Sequence, residues 1–78
     1  MKKKIYIKLL DEGTIVYKPI PSIEIESNIY KVQGHELYDM EDEIWEFPPD
    51  TYVLVEERYF SGEKVLVAIK EQRPSRIS

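Results

Sequence analysis

Six carboxylates, Glu36, Asp39, Glu41, Asp42, Glu43 and Glu46, crowd into positions 36 to 46 together with Trp45, and Phe47, Pro48 and Pro49 follow directly. Carboxylates at this density suit three kinds of chemistry: holding a divalent cation, sharing a proton as an acid–base pair, or facing a basic partner. Spacing tests the first. A calcium loop begun at Asp39 places Glu41 and Glu43 at its third and fifth positions. It then meets Ile44 where the sharp turn needs glycine, and Asp50 where a bidentate glutamate is needed. The loop fails at its turn, and no metal site is expected. An acid–base pair requires one couple of carboxylates set apart from its neighbours, and nothing in the run does that. The third chemistry remains. Glu36, Asp39, Glu41, Asp42, Glu43 and Glu46 surround a large aromatic, Trp45, an arrangement suited to steering a basic protein onto a central anchor. The competing reading is a solvated loop whose Ile44, Trp45 and Phe47 cap one end of the core.

Nucleophilic chemistry finds little support. His35 is the only histidine and there is no cysteine, which excludes histidine-rich and thiolate metal sites, a cysteine nucleophile and a disulfide scaffold. A serine nucleophile needs a base within hydrogen-bond reach and a third group to orient it. Ser22, Ser27 and Ser61 fall in predicted turns, where serine has an ordinary conformational role. His35 follows Gly34 in another predicted loop and is expected at the surface. The three glycines all read as turn residues, and none belongs to a phosphate-cradling motif. The chain is expected to be non-catalytic and to need no cofactor.

Charge is unevenly spread. Residues 1–34 hold six lysines against four acids, residues 35–57 hold nine acids and no lysine or arginine, and residues 58–78 hold five basic residues against two acids. An acidic centre thus lies between mildly basic ends, with a net charge of −4. Lys2, Lys3, Lys4, Arg58, Tyr59 and Lys64 are the raw material of a nucleic-acid surface. Phosphate contacts dominate such binding, however, so an acidic domain starts at a disadvantage. The six tyrosines more naturally rim a small core with their hydroxyls in water. The apolar run after Lys4 is broken by Lys8 and ends at Asp11, too soon for a signal peptide, and nothing approaches the roughly 20 residues of a membrane span. A cytoplasmic protein is expected, with a protein partner in preference to nucleic acid or membrane.

The elements that must position these groups are strands. Ile5, Ile7 and Leu9 alternate with Tyr6, Lys8 and Leu10, and residues 14–20, 22–26, 29–33, 51–59 and 64–71 are likewise rich in β-branched and aromatic side chains. Between residues 35 and 45 the spacing allows at most one short turn of helix. Register tests predict three hairpins. A three-residue loop at Asp11-Glu12-Gly13 sets Leu9 against Ile15 and Ile5 against Pro19. A two-residue loop at Ser27-Asn28 sets Ile25 against Tyr30 and Glu24 against Lys31. A three-residue loop at Phe60-Ser61-Gly62 sets Val55 against Val67, whereas a two-residue turn there mixes Glu56 and Arg58 into an apolar face. Pro19 and Pro21 lack backbone donors and imply an edge or a bulged corner.

At 78 residues the chain has room for one domain with a small core. The expected fold is all-β, a small SH3-like barrel or twisted antiparallel meander of five to six short strands over residues 1–71, with 72–78 a flexible C-terminal tail. The expected core is Ile5, Ile7, Leu9, Ile15, Ile23, Ile25, Val32, Trp45, Phe47, Val53, Val55, Val65, Val67 and Ile69.

Leu9-Leu10-Asp11-Glu12-Gly13-Thr14 with Val16 and Pro19, Tyr38-Asp39 with Glu41-Asp42-Glu43 and Trp45-Glu46-Phe47-Pro48, and Ser61-Gly62-Glu63 leading into Val65-Leu66-Val67-Ala68 together resemble a family of short, uncharacterised bacterial proteins. The likeness covers most of residues 5–69. It implies a bacterial cytoplasmic protein and brings no activity and no functional residues. The expectation is a non-catalytic interaction module using its acidic central surface. A sharper form is an immunity or antitoxin-like protein that covers a basic nuclease, and a nucleic-acid-binding SH3-like domain is the least favoured form. A homodimer through an edge strand also fits a domain of this size.

Overall fold

The computed structural model describes residues 2–75. Six strands form in chain order: β1 (Lys2–Leu10), β2 (Val16–Glu26), β3 (Ile29–Val32), β4 (Ile44–Trp45), β5 (Tyr52–Phe60) and β6 (Glu63–Glu71). They make one sheet in the order β2-β3-β5-β6-β1-β4, and a further pairing of β1 with β2 turns it into a ring. The fold is all-β and barrel-like, as the period of two predicts. The ring is not wholly antiparallel, since β6 meets β1 in parallel at Tyr6 and Val67. Residues 35–37 and 40–42 form turns, no helix occurs among the described residues, and β4 is a strand that the sequence pattern did not reveal. Among the described residues no helix is long and apolar enough to cross a membrane.

The first hairpin corrects the predicted register. Leu9 faces Val16, Ile7 faces Lys18 and Ile5 faces Ile20, one position away from the three-residue-loop alignment. That single step reverses every side chain of β2. Ile20 and Ser22 become fully buried, while Ile15, Ile23 and Ile25, expected in the core, stand 72%, 36% and 42% exposed. Asp11 takes the positive φ expected of Gly13. Both stripes of β2 are partly apolar, so the stripe alone does not decide between them. Packing does, because Ile20 lies under Trp45 and Gly34 at the centre of the fold.

The prolines form no corner. β2 runs unbroken through Pro19 and Pro21. The carbonyl of Pro21 accepts from Gln33 N, so its missing N–H points toward the β3 side as well. Ladder pairing with β3 covers only Ser22 to Glu26, and on that side Pro19 and Pro21 need no donor.

A bulge explains one of the other two register differences, and a shorter turn followed by a bulge explains the second. Ser27-Asn28 is the predicted two-residue turn, with Asn28 at positive φ, but Ile25 is an extra residue between the Glu24 and Glu26 pairs. Beyond it Glu24 faces Tyr30 and Ile23 faces Lys31, so the expected Glu24–Lys31 pair does not form. The last hairpin uses the rejected two-residue turn, Ser61-Gly62, with both residues at positive φ. Glu56 does face Val67 and Arg58 does face Val65. Phe60 remains a strand residue because its ring packs edge-on against Tyr6 at 5.3 Å and beside Tyr17 at 5.4 Å. Ile69 is the extra residue that restores alignment, leaving Val67 and Ala68 buried in succession and Ile69 itself 37% exposed.

The core contains Ile5, Ile7, Leu9, Ile20, Tyr30, Val32, Trp45, Phe47, Val53, Val55 and Ala68, with Leu66 packed against it and Val65 only half-buried. Of the expected tail, residues 72–75 are tied to the domain, and residues 76–78 lie outside the described residues. Gln72 N donates to the Tyr52 carbonyl, Pro74 is buried, and both Ser75 N and its hydroxyl donate to the Glu26 carboxylate.

Candidate functional site

The acidic segment is organised from beneath by Trp45. β4 pairs with the end of β1, Trp45 opposite Leu9 and Ile44 opposite Leu10, and Glu46 N donates to the Lys8 carbonyl. This turns the indole inward to 2% exposure, over Gly34 and Ile20, with the Tyr38 ring 4.6 Å away between centroids. Trp45 therefore cannot be the surface anchor that its acidic neighbours suggested. It is the pillar of the loop they occupy.

Glu43 joins that pillar to β2. One carboxylate oxygen accepts from Lys18 Nζ at 2.5 Å and from Trp45 Nε1 at 3.0 Å. Lys18 occupies an inward position of β2, with its ammonium 5.9 Å from the Trp45 ring centroid. The hydrogen bond from Lys18, then that from Trp45, hold the Glu43 carboxyl below its ordinary value, with partial desolvation opposing them. Because the folded value lies below the unfolded one, the contribution of this cluster is full above the ordinary carboxylate range. It is lost as pH falls through the depressed folded value. Glu43→Gln should therefore cost on the order of 1 kcal/mol at neutral pH, discounted for partial exposure. In urea unfolding followed by circular dichroism, that difference should shrink progressively as pH falls below the ordinary carboxylate range and through the depressed folded value. A difference independent of pH would contradict the charged cluster.

Asp39 shapes the rest of the segment. Its side chain accepts from Glu41 N at 2.9 Å, and its carbonyl accepts from Asp42 N and Glu43 N. Wrapping the chain around Asp39 throws Met40, Glu41 and Asp42 outward, with Met40 68% exposed. The β1–β4 pairing then brings the β1–β2 tip alongside. Leu10, Asp11, Glu12, Met40, Glu41 and Asp42 line a shallow cleft of about 190 Å³. Asp11, Glu12, Glu41 and Asp42 make no ion pair among the described residues, and no cation lines the cleft.

Of the seven expected contact residues, Glu41 and Asp42 line this cleft at the surface and Glu43 closes it from inside. Asp39 is the staple of the loop. Glu36 and Glu46 are exposed but line no part of the cleft, and Trp45 is buried. Sequence reasoning missed Asp11, Glu12 and Met40. Only the β1–β4 pairing could have found the two acids, about thirty positions upstream, and a two-residue strand leaves no periodicity to read.

His35 is at the surface, as expected, with Nε2 3.0 Å from Asp50, which also lies 3.9 Å from Lys31 Nζ. Among the described residues, no group of three or more His, Asp or Glu side chains is arranged to hold a metal ion. No family model, curated protein or solved structure matches the chain.

Proposed function

We propose that this protein is a non-catalytic interaction module that presents the acidic cleft at the β1–β2 tip to a basic protein partner. The observation that carries the reading is the union of Asp11 and Glu12 with Glu41 and Asp42 around the exposed Met40. Four uncompensated carboxylates on one rim attract a basic surface over a distance of several ångströms and raise its association rate. Met40 supplies the apolar contact, since an unbranched thioether adapts to varied surfaces. The working compartment in this reading is the bacterial cytoplasm, supported by the motif resemblance.

Charge reversal tests it. Glu12→Lys, Glu41→Lys and Asp42→Lys together change exposed side chains, spare the Lys18–Glu43 pair and leave Asp11 at its positive φ, so the melting temperature should change little. Capture from host lysate should lose its basic partner with the variant, and with the native chain as salt rises from low to moderate strength. Capture of the same partner by both chains would refute the acidic-surface reading. If the partner is a nuclease, inhibition by the native chain but not by the variant assigns an immunity-type role.

A further inference from the structure

The opposite end of β1 carries a groove of contrary charge. Among the described residues, the only ladder pairing of β1 with β6 is Tyr6 with Val67. N-terminal to that point, residues 2–5 pair with β2 and residues 63–66 pair with β5, and beyond the Tyr6–Val67 bridge the edges that residues 2–4 and 63–65 turn toward each other have no strand partner among the described residues. An open groove of about 660 Å³ lies there. Lys3, Lys4 and Lys64 are its exposed cations, and the half-buried Tyr6, Val65 and Leu66 supply its apolar lining. Glu57 is its one acid, 3.5 Å from Lys64 Nζ.

We infer that this groove receives an extended acidic segment of another protein, which adds as a strand to the free edges. Two features specify the occupant. Two lysines remain after Glu57 is set against Lys64, which matches a segment bearing a few carboxylates. Unpaired strand edges supply main-chain hydrogen bonds, and Val65 and Leu66, on opposite faces of β6, offer one aliphatic contact to each face of the added strand, the recognition mode of strand addition. Single-stranded nucleic acid fits less well. Tyr6 is the only aromatic lining residue and is already packed against Phe60, so no free ring is offered for base stacking. A second copy of the chain also fits less well, because its densest acidic stretch is wrapped around Asp39 and not extended.

The probes are a fluorescein-labelled peptide of alternating glutamate and leucine, the same peptide with lysine for glutamate, and a short oligothymidylate. The acidic peptide should bind, shift the backbone amide resonances of residues 3–5 and 64–66, and slow their hydrogen exchange. Lys3→Glu, Lys4→Glu and Lys64→Glu together should weaken it about tenfold or more with circular dichroism unchanged. The charge-reversed acidic cleft serves as a second variant and should not weaken peptide binding, which separates this proposal from the function proposed above. Equal binding to the lysine-reversed variant, tighter binding of oligothymidylate, or no amide shifts at these positions would each overturn it.

Discussion

Replacing Trp45 with alanine should remove a large share of the protein's stability. Truncating a buried tryptophan costs about 3–5 kcal/mol in lost transfer energy and cavity formation. At about 0.05–0.15 kcal/mol per residue, a domain this size has a total stability of roughly 4–12 kcal/mol. The loss here is not purely apolar. The indole is 2% exposed, supports Tyr38, underlies the Lys18 ammonium and donates to Glu43. Without it, the inward lysine and its carboxylate face a void. Trp45→Phe keeps most of the volume and loses the Nε1 donor, so it should cost clearly less than the alanine change. Because Trp45 is the only tryptophan, urea midpoints should be compared by far-ultraviolet circular dichroism. A loss below about 1 kcal/mol for Trp45→Ala would show that the segment is held mainly by its turns.

Gly34→Ala should be the other severe change, for two reasons that a control can separate. Gly34 sits at φ +82°, where a side chain costs about 1–2 kcal/mol. An added Cβ would also lie 3.1 Å from Ile20 Cγ2 and 3.3 Å from Trp45 Cη2, and crowding of a filled core costs about 1–3 kcal/mol. Gly62 has nearly the same backbone, φ +83°, with nothing within 4 Å of the added carbon. Gly62→Ala should therefore show the backbone cost alone. The excess of Gly34→Ala over Gly62→Ala, read from thermal or urea unfolding, measures how rigidly Ile20 and Trp45 are packed. Equal losses would mean that the two side chains can move aside.

These two residues also show what local sequence could and could not convey. Alternation in Ile5, Ile7 and Leu9 was enough for β1, and the β-branched runs located β3, β5 and β6 closely. The Ser27-Asn28 turn stood out through a residue that tolerates positive φ, whereas at the last hairpin Gly62 marked the turn but the register pattern wrongly drew Phe60 into the loop. Register was harder. In β2 the stripe Ile15, Ile23, Ile25 competes with Val16, Ile20 and Ser22, and composition favours the wrong one. What selects the right one is Trp45, more than twenty positions downstream, seated over Ile20 and Gly34. Ile25 and Ile69 look like core residues because each is an isoleucine in an alternating run, yet each is the spare residue of a bulge. At the candidate site, local density revealed Glu41 and Asp42. The same density misassigned Trp45, since an aromatic among acids reads alike whether it points outward or inward. Asp11 and Glu12 belong to the cleft only through strand pairing.

The ring is closed by β1 and β6, the first and last of the described strands, and that has a consequence for the order of events during synthesis. Tyr6 leaves the ribosome about sixty residues ahead of Val67 and must wait for it. The β1–β2 and β2–β3 ladders join near neighbours in sequence and can form on a nascent chain. Trp45 has no place against Leu9 until the middle of the chain has emerged. Joining Tyr6 to Val67 then closes a long loop, an entropic cost met only when the last strand is present. Until then that whole edge of β1, the Tyr6 position included, stays exposed on a half-made sheet. Its lysines at positions 2, 3, 4 and 8 lie along that edge, and like charges there hinder neighbouring nascent chains from pairing with it.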